Sequence, residues 1–237
     1  MTKLNIIIPA FKEASRITNT LTSLSKFLKL NVNSNLDIMT YVINDGSTDD
    51  TYSITKDLYK KLTLSGDVLS YDINQGKGYA VKYGMLNSRN ADYYYLADAD
   101  LSASWDTLLE LLKVAETSNS DCVIGSRTLK PNKVHTSLFK KIAGRGSNII
   151  INLFLQLGLN DTQCGYKLFN NKCISAFKEL TLNRWGFDFE LLYIIKKKHL
   201  TIKEVSIEWV NQAGSKVSIK DYFKTFRDLI YVRATHS

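Results

Sequence analysis

The sequence predicts an α/β fold with a mostly parallel central sheet and helices on both faces. Short apolar runs typical of buried strands alternate with segments of helical apolar spacing through the first half of the 237-residue chain. This alternation favours parallel pairing, because parallel neighbours need a crossover connection that is usually helical. Polar residues follow the apolar runs, at the strand ends where open α/β sheets bind their ligands.

The composition is that of a soluble globular protein, with 44% hydrophobic and 23% charged residues. A formal net charge of +8 favours anionic partners such as nucleic acid, acidic lipids or phosphorylated substrates, without choosing among them. The three cysteines have no metal-like spacing, and the N-terminal residues do not form a signal peptide. No run approaches the roughly 18 apolar residues that span a bilayer, so we expect a cytosolic protein without a transmembrane helix.

The first half is predicted to contain five strands and four helices. Each strand is an apolar run bounded by polar residues, and each helix has apolar residues three and four positions apart. The predicted strands are Leu4–Ala10, Met39–Asp45, Asp67–Asp72, Asp92–Asp98 and Asp121–Arg127. The predicted helices are Ile17–Leu30, Asp49–Leu64 with Ser47 or Asp49 as its cap, Gly78–Ser88 and Trp105–Glu116.

The second half is less regular. Residues Lys133–Asn160 have two short helical patterns separated at Gly144 and Gly146, with Ser147 as the expected cap of the second. The basic and apolar segment Lys133–Leu157 suits either a core helix with a solvated face or an element lying flat on a membrane. The remaining predicted elements are a turn at Asn160-Asp161, a strand Tyr166–Phe169, a helix Phe187–His199, a strand Ile202–Trp209 and an amphipathic segment Ile219–Arg233.

Two carboxylates, Asp98 and Asp100, directly follow the apolar part of the fourth predicted strand. Mg²⁺ and Mn²⁺ prefer carboxylate oxygen, and they are commonly held by one or two carboxylates together with substrate phosphates. A helix N-terminus also favours acidic residues. Ser102 or Ser104 already supplies that cap, however, which leaves Asp100 unexplained. The pair therefore predicts a divalent cation site.

Two other strand ends carry residues that suit a nucleotide. In NDGSTDDT, Asn44–Thr51, a carboxylate can accept hydrogen bonds from a nucleobase, although the stretch alone is better explained as a strand–turn–helix connection. In NQGKGYA, Asn74–Ala80, glycines and Lys77 near a helix start suit phosphate. The stretch is not a P-loop, because the G-x-x-x-x-G-K-[ST] pattern is absent. The first strand also lacks G-x-G-x-x-G, which argues against a dinucleotide cofactor.

Together these stretches resemble the family 2 inverting glycosyltransferases of the GT-A fold. IIIPAFKE, VINDGSTDDT, NQGKGYA and ADADLS are similar to that family's four signatures, in its order. GSR, DTQCGYKLF, RWGFDFELL, IKEVSIEW and GSKVS narrow the resemblance to the polyprenyl-phosphate sugar transferases, and among them to the dolichyl-phosphate glucosyltransferase branch. The resemblance covers nearly the whole chain and implies a Rossmann-like GT-A domain with amphipathic, membrane-facing helices.

The resemblance also implies a role for particular residues of one domain spanning residues 1–237. Residues 1–127 would bind the nucleotide sugar, and residues 128–237 would bind the acceptor and face the membrane. Asp45 would read the base, Asp98 would assist the nucleotide and share the metal site, and Asp100 would hold Mg²⁺ or Mn²⁺ against the diphosphate. Other nucleotide contacts would come from Pro9, Ala10, Glu13 and Lys77. Acceptor-phosphate candidates are Arg127, Arg145 and Lys216, and catalytic candidates are Asp100, Asp161, Asp188 and Arg127.

The implied reaction transfers a sugar, with glucose the first expectation, from a nucleoside-diphosphate sugar to undecaprenyl or dolichyl phosphate with inversion. The lipid-linked product would supply cell-surface glycan or glycoprotein synthesis. A lipid monophosphate is largely dianionic at neutral pH and is already nucleophilic, so no strong general base is required. Asp161 and Asp188 are therefore either bases or structural hydrogen-bonding groups. Ser102 stands where mannosyl relatives often carry glutamine, which leaves UDP-glucose, UDP-N-acetylhexosamine, UDP-galactose and GDP-mannose all open as donors.

The implied partners are the sugar nucleotide, the polyprenyl phosphate and an anionic membrane surface, with no nucleic acid. The protein would be peripheral on the inner, cytoplasmic face of the membrane. One alternative is a related glycosyltransferase that acts on a saccharide or glycolipid hydroxyl. A second is a metal-dependent phosphatase of the haloacid-dehalogenase type, although its D-x-D pair normally follows the first strand. A third is a non-catalytic nucleotide-binding module.

Overall fold

The structure, a computed structural model, describes residues 1–32, 35–129, 138–210 and 219–236, without the side chains of 138–145 and 219–223. The strands are Thr2–Ala10 (β1), Leu36–Asp45 (β2), Gly66–Tyr71 (β3), Tyr93–Leu96 (β4), Cys122–Ser126 (β5), Lys167–Asn170 (β6) and Ile202–Ser206 (β7). The helices are Ile17–Asn31 (α1), Thr51–Leu62 (α2), Lys77–Asn87 (α3), Asp106–Ser118 (α4), Leu138–Leu155 (α5), Ile174–Glu179 (α6), Phe187–Lys197 (α7) and Ile219–Thr235 (α8), and a 3₁₀ turn at Asn171–Cys173 precedes α6.

The seven strands form one sheet in the order β3-β2-β1-β4-β6-β5-β7. β6 runs antiparallel to both of its neighbours, and all other pairs are parallel. The predicted mostly parallel sheet is therefore confirmed, with one reversal that the sequence did not indicate. Because of this reversal, the segment that enters β6 lies at the edge where β4 and β5 end.

Two apolar layers cover the two faces of the sheet. In β1, Ile6 and Ile8 face the layer formed with α1, α2 and α4, whereas Ile7 faces the layer formed with α3, α5, α6, α7 and α8. This alternation follows from the two-residue period of a strand, and the nearly continuous apolar run of β1 reflects burial on both faces. Among the helices that the structure describes, none is long and apolar enough to cross a membrane.

Three sequence expectations need correction. Helix α5 is continuous over Leu138–Leu155, so the predicted break at Gly144 and Gly146 is wrong, and Ser147 lies inside the helix instead of capping one. Glycine costs only about 1 kcal/mol in a helix interior, and buried apolar residues such as Ile151 hold this helix on the core. Helix α6 was not predicted, and β7 ends at Ser206 instead of continuing to Trp209.

Asp121 joins three strands at the edge of the sheet opposite the strand carboxyl ends. Its carboxylate accepts hydrogen bonds from the backbone N–H and hydroxyl of Thr201 (2.9 and 2.8 Å), from Asn170 Nδ2 (2.8 Å) and from Lys172 Nζ (3.1 Å). Burial alone would raise the pKa of Asp121, but these hydrogen bonds outweigh it and lower that pKa to about 2. The ionised carboxylate therefore stabilises the fold.

We predict that Asp121→Asn lowers the free energy of unfolding at neutral pH by about 2–3 kcal/mol. The folded-state pKa lies below the unfolded value, so the contribution is complete above that unfolded value and is lost as the pH falls towards about 2. Urea unfolding at several pH values measures both effects. Asp57→Asn, on the exposed face of α2, is the control. Equal stability losses in the two variants would contradict the prediction.

Candidate active site

The carboxyl ends of the parallel strands and the segment entering β6 bring most of the predicted site residues to one edge of the sheet. Ala10 and Asp45 end β1 and β2, and Lys77 begins α3. Asp98 and Asp100 lie just beyond β4, which ends at Leu96, two residues earlier than predicted for the strand. The predicted convergence of polar strand ends is therefore present.

An ion pair between Lys77 and Asp98 lies at the centre of this edge. Lys77 Nζ is 2.5 Å from Asp98 Oδ1, and each side chain is 19% exposed. Burial disfavours the charged lysine, but Asp98, Asp188 and Asp100 together raise the pKa of Lys77 above its usual value. The Trp185 ring centroid lies 5.7 Å from the same ammonium group. Lys77 therefore stays charged and is surrounded by carboxylates.

The Asp98 carboxylate also packs closely against Gly165, in the segment that enters β6. A Cβ atom at position 165 would lie 2.0 Å from Asp98 Oδ2, so only glycine leaves room for the carboxylate in this position. Tyr166, the next residue, accepts the Ala103 N–H through its hydroxyl oxygen at 3.1 Å. The segment that enters β6 therefore contacts the turn after β4 at Asp98 and again at Ala103.

Asp100 is held by the turn that it begins. Its Oδ1 accepts the Ser102 N–H (3.0 Å) and the Ser102 hydroxyl (2.7 Å), and Leu101 between them has a left-handed φ of 55°. Within the described part of the chain, no hydrogen bond is assigned to Asp100 Oδ2. No group of three or more His, Cys, Asp or Glu that could hold a metal occurs among the described residues. A cation that takes one or two carboxylates here and its other ligands from phosphate and water fits this donor set.

Asp45 organises the loop that follows β3. Its two oxygens accept hydrogen bonds from the Tyr71 hydroxyl (2.9 Å), Asn74 Nδ2 (2.7 Å), the Gln75 N–H (2.8 Å) and the Gly76 N–H (3.0 Å). Asp45 is only 2% exposed. It therefore fixes the backbone that leads into Lys77, and its predicted contact with a nucleobase stays a prediction.

The loops after β1 and β2 are joined by hydrogen bonds. Glu13 N–H donates to Thr51 Oγ1 (2.8 Å), and the Glu13 carboxylate receives Nε and Nη2 of Arg16 (2.6 and 2.8 Å). Lys12 N–H donates to Ser47 Oγ (3.0 Å). Asp49 Oδ1 accepts the N–H of Thr51, the first residue of α2, at 3.2 Å, so Asp49 serves the start of this helix and Ser47 does not. Pro9 and Ala10, at the end of β1, lead into this joined pair of loops, and their predicted contact with a nucleotide stays a prediction.

Arg127 and Asp161 form a two-point ion pair beyond β5. Arg127 Nε and Nη2 lie 2.7 and 2.8 Å from the two Asp161 oxygens, and the Arg127 N–H adds a third contact at 3.0 Å. The guanidinium lies 5.1 Å from the Trp209 ring centroid. Burial would raise the pKa of Asp161, but Arg127 outweighs it and holds that pKa below its usual value. A carboxyl group with a lowered pKa is a poor general base, so Asp161 is better suited to orient Arg127.

Asp188 forms a buried ion pair with Lys167, which the sequence analysis did not select. Lys167 Nζ contacts Asp188 Oδ1 and the Cys164 carbonyl oxygen, and Lys167 is fully buried within β6. A lysine inside the apolar strand YKLF was the available signal, because a lysine is almost never fully buried unless it is paired. The pairing makes Asp188 a structural partner of Lys167 and weakens its case as a base.

Two predicted acceptor contacts fall on parts of the chain without described side chains. Lys216 lies outside the described residues, and the side chain of Arg145, within α5, is also outside them. Their predicted roles stay predictions.

Comparison with known proteins identifies the family. The model of "Glycosyl transferase family 2" matches residues 5–176. The chain belongs to glycosyl transferase family 2. Dolichyl-phosphate beta-glucosyltransferase of Drosophila melanogaster is 34% identical over 97% of this chain and 74% of the fly protein. The Saccharomyces cerevisiae protein of the same name is 31% identical over 98% of this chain and 75% of its own. The predicted family and branch resemblance are confirmed, and family membership favours glycosyl transfer over the phosphatase alternative.

Solved structures confirm the GT-A-like fold of this glycosyltransferase. Glucosyl-3-phosphoglycerate synthase from Mycobacterium tuberculosis, in complex with Mn²⁺, UDP and glucosyl-3-phosphoglycerate, has a TM-score of 0.70 at 16% identity. That alignment covers 99% of this chain and 80% of the synthase. At this identity the likeness concerns the fold alone.

The close approach of Gly165 to Asp98 gives a prediction for this glycosyltransferase. Gly165→Ala places a methyl group where Asp98 Oδ2 lies, so the carboxylate must rotate away from Lys77 while the backbone is retained. We expect at least about a tenfold loss of sugar transfer, because a displaced active-site group costs that much or more, with an unchanged circular dichroism spectrum.

The matched control for that variant is Gly146→Ala in α5, where an added Cβ meets no atom within 4 Å. It should keep full activity and gain up to about 1 kcal/mol of stability from the higher helix propensity of alanine. Full activity in Gly165→Ala would show that the position of Asp98 does not matter.

Proposed function

We propose that this glycosyltransferase transfers glucose from UDP-glucose to the phosphate of a polyprenyl lipid, dolichyl or undecaprenyl phosphate, with inversion at the anomeric carbon. The observation that carries the proposal is the likeness to dolichyl-phosphate beta-glucosyltransferases over at least 97% of the chain. The site agrees with it, because acids that suit a cation and basic residues that suit phosphate share one edge of the sheet. The product would be a lipid-linked glucose donor for glycan or glycoprotein synthesis.

On the donor side, the chain offers a charged lysine beside two carboxylates. Lys77 would contact the diphosphate, and Asp45 would keep the preceding loop in place for that contact. Mg²⁺ or Mn²⁺ held by Asp100, with Asp98 beside it, would neutralise charge on the departing diphosphate. Glucosyl-3-phosphoglycerate synthases of this fold have been crystallised with UDP and either Mn²⁺ or Mg²⁺, which supports the same requirement here.

On the acceptor side, the need is to hold an anion and not to remove a proton. A lipid phosphate is largely dianionic at neutral pH, so it can attack without a strong base. Arg127 would receive this phosphate, with Asp161 and Trp209 fixing the plane of its guanidinium. Inversion follows if the phosphate oxygen attacks on the face opposite the diphosphate in a single displacement. Residues 1–126 would thus serve the donor and residues 128–237 the acceptor within one domain, with Arg127 at the boundary contacting the acceptor phosphate.

Helices α5 and α8 offer a surface for the lipid bilayer. They pack against each other, with the Phe154 and Phe226 rings 5.5 Å apart at their centroids. The α5–α8 apolar surface consists of the exposed residues Ile149, Ile150, Leu153, Phe154, Phe226, Ile230 and Tyr231. An exposed apolar patch on a protein with a net charge of +8 suits a peripheral position on an anionic leaflet, where a polyprenyl phosphate would present its head group.

Sugar transfer from radiolabelled UDP-glucose to dolichyl or undecaprenyl phosphate, with and without Mn²⁺, tests the proposed reaction. We expect a lipid-linked, β-configured product that requires the metal and the phosphate. Asp100→Asn should lower turnover by at least about 100-fold, because it weakens the electrostatic stabilisation of the leaving group. Asp106→Asn, an exposed acid in the first turn of α4, should keep the wild-type rate.

Three results would reject parts of this proposal. Full turnover in Asp100→Asn would reject the role of that acid. Transfer to a glycolipid hydroxyl, with none to the lipid phosphate, would replace the acceptor. A GDP-linked or N-acetylhexosamine donor that outcompetes UDP-glucose would replace the donor.

Flotation with phospholipid vesicles tests the α5–α8 apolar surface. Leu153 is 73% exposed and Ile230 is 51% exposed, so Leu153→Ser with Ile230→Ser should leave the fold intact. Each large apolar side chain contributes about 1.5–3 kcal/mol when it is buried. The double variant should therefore float with phosphatidylglycerol-containing vesicles at least about tenfold less than the wild type. Leu30→Ser, at a position 71% exposed on α1, is the control. Equal flotation of the double variant and the wild type would exclude this surface.

A further inference from the structure

The loop that follows β3 and leads into Lys77 contacts a second segment, which does not follow a strand. This segment, Thr181–Gly186, connects α6 to α7, and we call it the clamp segment. The Asn183 carbonyl oxygen accepts the Tyr79 N–H at 3.2 Å. Trp185 of the clamp segment is the residue whose ring lies beside the Lys77 ammonium group. Lys77 is therefore held between Asp98 on one side and the clamp segment on the other.

The contact between the loop and the clamp segment is made by backbone atoms. A Cβ atom on Gly76 would lie 2.5 Å from the Asn183 carbonyl oxygen, and one on Gly78 would lie 2.5 Å from the Leu182 carbonyl oxygen. With so little space, a shift of the clamp segment must shift the residues on both sides of Lys77. The position of the clamp segment thus sets the position of the lysine.

Glu190, on α7, fixes the clamp segment. Its Oε1 accepts the Thr181 N–H (3.0 Å) and the Thr181 hydroxyl (2.5 Å), and its Oε2 accepts the Leu182 N–H (2.8 Å). His236 Nε2, in the residue just after α8, lies 2.9 Å from Oε1. Glu190 is fully buried, and no step of the proposed reaction uses it. A fully buried carboxylate without such partners would be strongly unfavourable, so these bonds fix both the carboxylate and the segment that it holds.

We propose that Glu190 is a positioning residue for the donor, which acts through the clamp segment to place Lys77 against the nucleoside diphosphate. The inference rests on the proposed binding of a nucleoside diphosphate at Lys77. It adds that donor affinity depends on a carboxylate that touches neither substrate nor metal. His236, which directly follows α8, contacts the same carboxylate. Helix α8 therefore helps to hold the loop before Lys77 as well as forming the α5–α8 apolar surface.

Titration of the full chain with UDP in the presence of Mn²⁺, followed by calorimetry, tests the inference without an acceptor. Glu190→Gln replaces an acceptor oxygen by an amide and should raise the Kd for UDP about tenfold, as loss of a supporting hydrogen-bonding group does at other sites. In sugar transfer, the same variant should raise the KM for UDP-glucose with a smaller change in kcat, because the lost contact supports binding. A role in folding alone would lower the melting temperature and leave the Kd of the folded protein unchanged.

Two further variants complete the test. Glu179→Gln makes the same chemical change at an exposed residue of α6, whose partner is Lys198, and it should bind UDP as the wild type does. Thr181→Val removes only the hydroxyl donor to Glu190 and should weaken UDP binding by about threefold, roughly the worth of one hydrogen bond. If Glu190→Gln does not fold, Thr181→Val decides the question.

The possible outcomes separate this inference from the proposed function. A wild type that does not bind UDP overturns the proposed donor and the inference with it. A wild type that binds UDP, together with a folded Glu190→Gln of equal affinity, overturns the inference alone. If Glu190→Gln does not fold, unchanged affinity in Thr181→Val has the same meaning. Weaker binding in the Glu190 or Thr181 variant, with normal binding in Glu179→Gln, supports the inference.

Discussion

The ion pair between Lys77 and Asp98 is the contact on which the geometry of this site depends. It joins the start of α3 to the turn after β4, two segments that are 21 residues apart in the chain. Asp45 fixes the backbone before Lys77, and the absence of a side chain at Gly165 leaves room for the Asp98 carboxylate. A lysine and an aspartate this close would compensate each other and leave little net charge. Asp188 and Asp100 also act on this ammonium group, and since Asp188 is paired with Lys167, Asp100 leaves the region with a negative excess that a divalent cation can neutralise.

The reversal of β6 explains how the two halves of the chain meet at one site. A further parallel strand would have started at the opposite edge of the sheet. Since β6 is antiparallel, the segment Asp161–Tyr166 lies beside the ends of β4 and β5, where it contacts Arg127 and Asp98. The buried Lys167, the first residue of β6, then pairs with Asp188 of α7. Removing one partner of a buried pair is costly, since it leaves an uncompensated charge, so these pairs fix which segments are adjacent.

The carboxylates of the site differ in how many of their oxygens accept hydrogen bonds from the chain. Asp45, Asp161 and Glu190 are buried and are occupied by hydrogen bonds from the chain itself. Asp100 uses one oxygen for the turn in which it lies. The occupied carboxylates position loops and basic side chains, whereas Asp100 is the acid best placed to contribute to a cation. Under the proposed reaction, the chain would therefore need only Asp98 and Asp100 at the cation, although several acids lie near this edge.

The sequence by itself determined the strand and helix order of the first half, the edge at which the site lies and the family. Apolar runs and strand-end polar residues are local features, so Asp98, Asp100 and Lys77 could be selected without a structure. Only the tertiary structure decided that β6 is antiparallel, that α5 continues through Gly146 and that Asp45, Asp161 and Asp188 have partners within the chain. The sequence shows that a carboxylate is present, but it does not show whether its partner is a ligand or a residue far along the chain. Glu190 could not be selected from the sequence for the same reason. Its proposed role depends on contacts that form only when α7, α8 and the clamp segment have packed together.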